Sequence, residues 1–180
     1  MSNPGGNLGL IVRALAFAAD KHRNQRRRDE DASPYINHPV ALADVLVNAA
    51  GITDSDVICS ALLHDTIEDT DTTAAELDAV FGAAIRRIVL EVTDDTSLLK
   101  SQRKQQQIDR ASHISDSAKL VKLADKICNL RDMVTAPPAD WTTDRRQEYF
   151  DWAKAVIDKL RGVHSVLEAL FDEAYRARPV

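Results

Sequence analysis

Between Lys119 and Arg131 the chain places Leu120, Val121, Leu123, Ala124, Ile127, Cys128 and Leu130 around most of the circumference of a helix. A helix apolar over that much of its girth belongs inside a protein, with other elements packed around it. The remaining stripe holds Lys122, Asp125 and Asn129, spaced by three and four, so the three polar groups share one face. On a buried helix such a face must meet a cavity, a ligand or an internal partner, because each ion taken out of water costs on the order of several kcal/mol. An internal salt bridge from Lys122 or Lys126 to Asp125 would also meet that need.

The same helical period runs through the rest of the chain, and no convincing alternating strand interrupts it. Leu8, Ile11, Val12, Leu15, Ala18 and Ala19 stripe a first helix, followed by the basic stretch 21–28 and a polar loop at 29–34. Asn37 is expected to cap a helix carrying Val40, Leu42, Val45 and Leu46 and closing near Gly51. Thr53 is expected to cap the next, a continuous stretch over 54–69. Thr73 with Glu76 reads as a capping box for a helix closed near Gly82. Residues 83–92 are helical again, 91–97 form a polar turn, and 99–109 make a charged, solvated helix. A long helix spans about 116–134 and stops before Pro137-Pro138. Thr142 or Thr143 starts another that runs to Gly162, and a last covers roughly 165–177. The expected fold is all-α, with eight to ten helices in one domain over 1–180 and residues 1–6 as a frayed tail.

Composition narrows the partners. A chain of 180 residues, 44% hydrophobic and 28% charged, can bury a core as one domain. Its net charge of -5 argues against nucleic acid as the main partner, despite the local cluster at 21–28. No apolar run approaches the roughly 20 residues of a membrane helix, and the first residues lack the pattern of a secretory signal. A cytoplasmic protein with no membrane contact is expected. Cys59 and Cys128 sit in apolar helical runs without CxxC spacing, as buried small hydrophobes rather than a disulfide or a structural zinc site. The helix over 99–109 offers no apolar seam, so a monomer or weak homo-oligomer is expected.

The chemistry concentrates in Leu62–Asp69. There an apolar run gives way to four ionisable residues in six positions: His64, Asp65, Glu68 and Asp69. On one continuous helix His64 lies over Glu68 and Asp65 over Asp69. A solvated helix end accounts for this motif alone as well as a metal site does. His38, beside Pro39 at a helix start, is equally ordinary by itself. Taken with Asp125, however, the chain offers two imidazoles and two carboxylates from three separate helices, with no thiolate. That mixed set suits manganese, iron, zinc or magnesium-like ions with a position open for water. Arg27, Arg28, Lys100, Arg103, Lys104 and Lys122 are candidates to neutralise a polyphosphate.

In order and spacing, His38, His64-Asp65 and Asp125 resemble the HD superfamily of metal phosphohydrolases. Tyr35-Ile36-Asn37-His38-Pro39, Leu62 to Asp69, Glu91-Val92-Thr93-Asp94-Asp95 and Lys119 to Lys126 are similar to the hydrolase domain of RelA/SpoT homologues, in particular the stand-alone small alarmone hydrolases of the Mesh type. The likeness covers roughly residues 8–175. It implies removal of the 3′-pyrophosphate from guanosine tetra- and pentaphosphate, usually with manganese, other divalent ions being possible. It implies metal ligands at His38, His64, Asp65 and Asp125, and a water-activating acidic pair at Glu68 and Asp69. It also implies that Arg27 stacks on the guanine and that Asn129 and Tyr149 contact substrate. Three positions depart from the family pattern: Arg28 and Thr96 stand where relatives often have lysine, and Leu99 where they have proline. A lost cation at Thr96 bears on nucleotide affinity. The same site also suits the 2′-phosphate of NADPH or other nucleotides, and a nucleotide-binding sensor without turnover is the non-enzymatic alternative.

Overall fold

The computed structural model describes the backbone of residues 4–180 and the side chains from residue 7. Ten α-helical segments follow one another: α1 (Pro4–Lys21), α2 (Asn37–Asp44), α3 (Ser55–Leu63), α4 (Thr66–Asp69), α5 (Ala74–Phe81), α6 (Ala83–Val92), α7 (Lys100–Arg110), α8 (Asp116–Thr135), α9 (Thr143–Ile157) and α10 (Ser165–Arg176). Among the described residues the only β pairing is an isolated bridge between Arg26 and Pro34. The all-α expectation holds. Helix α1 begins at Pro4, so half of the expected tail is helical, and residues 1–3 lie outside the described residues.

Two apolar clusters hold the helices together. The larger surrounds α8, where Val121, Leu123, Ala124, Ile127, Cys128 and Leu130 are buried against Phe150 and Ile157 of α9 and Phe171 of α10. The smaller joins Ala14 and Ala18 of α1 to Cys59, Leu62 and Leu63 of α3 and to Leu77, Ile85 and Val89 beyond. Helix α3 is buried from Val57 to Leu63 and packs on α1, α2, α6 and α8, which fixes whatever its C-terminal end carries. Both cysteines are free and buried in these clusters.

The caps follow local chemistry more closely than the sequence reading did. Thr73 accepts from the amide of Glu76 at 3.1 Å, and Thr142 accepts from Arg145 at 3.3 Å, both as expected. Gly82 ends α5 at φ 86°, a conformation that costs glycine little. Asn37 is the first residue of α2 rather than its cap; Ile36 holds that position without a side-chain bond. Asp54, not Thr53, caps α3, accepting from the Asp56 amide at 2.9 Å. Helix α2 widens into a π-helical turn over Val45–Ala49 before Gly51. Helix α9 stops at Ile157, short of Gly162, where the chain enters turns.

Candidate metal centre

The stretch expected as one helix over 54–69 is broken at His64-Asp65, and the break builds the site. Helix α3 ends at Leu63, Asp65 takes φ -99° and ψ -2°, and α4 starts at Thr66. Side chains take over the carbonyls that the break releases. The Thr66 hydroxyl donates to the Leu63 carbonyl at 2.7 Å, and His64 Nδ1 pairs with the Ala61 carbonyl at 2.8 Å. A carbonyl only accepts, so His64 Nδ1 carries a hydrogen, which in the neutral ring leaves the lone pair on Nε2. The stacking of His64 over Glu68 expected for a continuous helix is therefore lost; two short helices aim these groups instead.

His38 on α2, His64 and Asp65 at the break, and Asp125 on α8 converge from there. One ligand atom from each of His38, His64 and Asp65 lies within 4.8 Å of the others. Asp125 Oδ1 is 3.3 Å from His38 Nε2 and 3.9 Å from His64 Nε2. His38, His64 and Asp125 are 4%, 6% and 8% exposed, so this is an interior cluster and not a surface patch of acids. His64 Nε2 is buried and makes no aligned hydrogen bond, although Asp65 Oδ2 lies 2.8 Å away. An imidazole nitrogen with its other nitrogen tied to a carbonyl, aimed among carboxylates and otherwise unsatisfied, fits the ligation of a divalent ion.

The electrostatics fit as well. Burial opposes charge on His64, but the Asp65 and Asp125 carboxylates outweigh it and push its pKa up to about 9, so these anions draw positive charge to Nε2: a proton in the metal-free ring, whose place an ion would take. Burial likewise opposes the Asp125 anion, yet Lys126 and the two histidines hold it well below the usual carboxylate range. Lys126 Nζ is 3.0 Å from Asp125 Oδ2, so the internal salt bridge exists and leaves Oδ1 facing the histidines. Asn129 Nδ2 donates to that Oδ1 at 2.6 Å. Tyr35, not singled out from the sequence, donates its hydroxyl to Asp65 Oδ2.

These residues border a cavity of about 160 Å³ that Glu68, Asp94, Lys122 and Asn129 help to line. A second cleft, of about 460 Å³, shares Arg27, Tyr35, Asp94, Gln107 and Asn129 with it and opens outward. Arg28, Lys100, Arg103, Lys104 and Tyr149 line this outer cleft, with Trp141 and Trp152. Lys122 belongs to the inner cavity, where Nζ donates to the Val92 carbonyl at 3.0 Å; burial and nearby Lys126 lower its pKa. Arg27 pairs with Asp132 at 2.5 Å and sits 5.7 Å over the Tyr35 ring. Tyr149 lies between Trp141 and Trp152, at 5.7 and 5.2 Å.

The structure separates Glu68 from Asp69. Glu68 borders the inner cavity, accepts from the Asp94 amide at 3.1 Å, and has its pKa raised to about 7 by burial and by the Asp94 charge. Asp69 borders the outer cleft. Thr96 and Leu99, where the chain departs from the family pattern, line neither cavity. Asp94 entered the sequence reading only as part of the Glu91–Asp95 motif, with no role assigned, and Gln107 on α7 carries no local signature; both reach the site through tertiary packing.

Comparison with known proteins agrees with this arrangement. The family model described as HD domain matches residues 14–152, a span that includes all four converging residues. The chain belongs to the HD domain family. Within it, the chain is 50% identical to guanosine-3′,5′-bis(diphosphate) 3′-pyrophosphohydrolase MESH1 of Danio rerio over 171 residues, 95% of each chain. It is 49% identical to the Homo sapiens MESH1 over 174 residues, 97% of each. A solved structure described as a metazoan ortholog of SpoT that hydrolyzes ppGpp superposes with a TM-score of 0.92 at 45% identity, covering 99% of this chain and 98% of that one. HD domain hydrolases depend on divalent metal, and this HD domain has a His/Asp group able to hold one.

Proposed function

We propose that the protein hydrolyses the 3′-pyrophosphate ester of guanosine 3′,5′-bis(diphosphate), releasing GDP and pyrophosphate, and that of the corresponding pentaphosphate, releasing GTP and pyrophosphate. The observation that carries the reading is the buried convergence of His38, His64, Asp65 and Asp125 in a cavity that shares lining residues with a cleft lined by cations. Near 50% identity to hydrolases of that name over nearly the whole chain supports the same substrate. In this reading the four residues hold one divalent ion, manganese by preference, which when bound acidifies water and polarises phosphoryl oxygen.

The chain's own groups supply the rest. Glu68, whose burial keeps its pKa near neutrality, takes the proton from the attacking water; a base poised there is well matched to its task. Asp69 orients that water from the outer side. Lys122 and Asn129 face the phosphorus from the inner cavity, while Arg27, Arg28, Lys100 and Tyr149 hold the nucleotide in the outer cleft. Fixed cations in a partly dry site stabilise developing charge without having to reorganise. The reading includes a single domain over 1–180 working in the cytoplasm as a monomer or weak homo-oligomer.

The test is direct. Purified protein at micromolar concentration with manganese and the guanosine bis(diphosphate) should release pyrophosphate and leave a 5′-nucleotide. No release under those conditions overturns the assignment. Faster removal of phosphate from NADPH would replace it with the alternative.

A further inference from the structure

A polar chain runs to the outer cleft from a buried histidine outside the metal cluster. His22, at the end of α1, is only 2% exposed. Its Nδ1 lies 2.6 Å from Gln25 Oε1, and Gln25 Nε2 lies 2.8 Å from Asp69 Oδ2. His22 Nε2 is buried and has no partner. The chemistry of the carboxylate fixes every role in this chain. Asp69 can only accept, so it takes the amide NH2 of Gln25; Gln25 Oε1 must then face His22, and His22 Nδ1 must carry the hydrogen. Reversing the amide would set its oxygen against an anion.

The histidine is itself held in place. Its ring tilts against that of Tyr35 with centroids 4.8 Å apart, and Tyr35 donates to Asp65. The backbone closes the same loop: the amide of Tyr35 donates to the Gln25 carbonyl at 3.2 Å, and the His22 amide donates to Ala18 at 2.9 Å. Gln25 therefore hangs from a rigid frame, although its own side chain reaches toward the open cleft.

We propose that Gln25, oriented by His22, is a positioning residue that fixes the Asp69 carboxylate at the mouth of the metal-site cavity. Without it, an exposed aspartate in a four-residue helix has several rotamers open to it. With it, one carboxylate oxygen is tied back to Gln25, in a residue that lines the cleft together with Arg27 and Tyr35. Holding a reacting group in one geometry is where much of catalytic rate comes from. The inference rests on the hydrolase reading above.

The experiment measures kcat and KM for manganese-loaded protein on the guanosine bis(diphosphate), comparing wild type with Gln25→Leu, Gln25→Glu and Asp69→Asn. Gln25→Leu should lower kcat on the order of tenfold or more, as expected for losing a hydrogen bond to an ionised group, with KM within about threefold. Gln25→Glu should carry a pH signature. When protonated, the new carboxyl can still donate to Asp69; when ionised, it repels it. The ratio of its kcat to that of wild type should therefore fall from pH 5.5 to pH 8. Manganese affinity, read from the free-ion paramagnetic resonance signal, should be unchanged in both variants. The inference is overturned if Gln25→Leu keeps wild-type kcat while Asp69→Asn loses it, or if the Gln25→Glu ratio is flat with pH. Failure of the hydrolase reading is distinguishable, because wild type itself would then be inactive.

Discussion

His64 donates from Nδ1 to the carbonyl of Ala61, at 2.8 Å, one turn back in its own helix. A break in a helix has thereby oriented a candidate ligand: Nδ1 gives its hydrogen to the carbonyl, and Nε2, which holds the lone pair in the neutral ring, faces Asp125. His64→Phe keeps a ring of similar size in this buried place and removes both nitrogens. We expect it to fold, to bind no manganese, and to lose more activity than the roughly 10- to 100-fold that follows loss of an outer-shell partner. Circular dichroism with metal analysis checks this; a folded variant that retains stoichiometric metal contradicts it.

Glu68 gives a stability prediction whose sign follows from its pKa. Burial and Asp94 raise it from 4.5 to about 7. The unfolded chain ionises first as pH rises, so the native state loses stability between those values and the loss is complete above the upper one. Glu68→Gln removes that penalty and can still accept from the Asp94 amide. In the presence of a chelator it should stabilise the protein by about 1–3 kcal/mol at pH 8 and by little at pH 5, while abolishing turnover. Urea unfolding at the two pH values decides it; equal effects at both would contradict the account.

Arg27 tests the outer cleft. Its ion pair with Asp132 is partly exposed, so Arg27→Ala should cost no more than about 1 kcal/mol of stability. If Arg27 grips the nucleotide, KM should rise on the order of tenfold with kcat changed much less. A lowered kcat at unchanged KM would move Arg27 out of the binding role.

The core makes a separate prediction. Phe150 of α9 is fully buried in the larger cluster, and Phe150→Ala should cost about 3–5 kcal/mol. Denaturant midpoints measure it. A loss below about 1 kcal/mol would mean that α9 is not anchored as described.

The fold was largely legible because amphipathic and fully apolar helices announce themselves over short windows, as around Val121–Leu130, and because caps such as Thr73 and Thr142 act within one turn. The four converging His and Asp residues were legible because ionisable groups on buried stretches have few explanations. What could not be read was geometry set by competition or by distant partners. The break after Leu63 depends on Thr66 and His64 satisfying carbonyls that a continuous helix would have used, and periodicity carries no trace of it. Asp54 outcompeted Thr53 as a cap by reaching Asp56. The separation of Glu68 from Asp69 follows from that same break together with Gln25, forty-four residues earlier in the chain. Tyr35 and Asp94 lay within family-like motifs without a role, and Gln107 lay in none; their place in the site follows from tertiary packing.

The central claim is that four side chains share one ion, and metal titration tests it most directly. Manganese binding to the metal-free protein, followed by free-ion paramagnetic resonance, should saturate at one ion per chain. His38→Ala, His64→Phe, Asp65→Asn and Asp125→Ala should each weaken that binding severely while circular dichroism reports an intact fold. A wild-type protein that binds no divalent ion, or a folded variant of any of the four that binds as tightly as wild type, would contradict it.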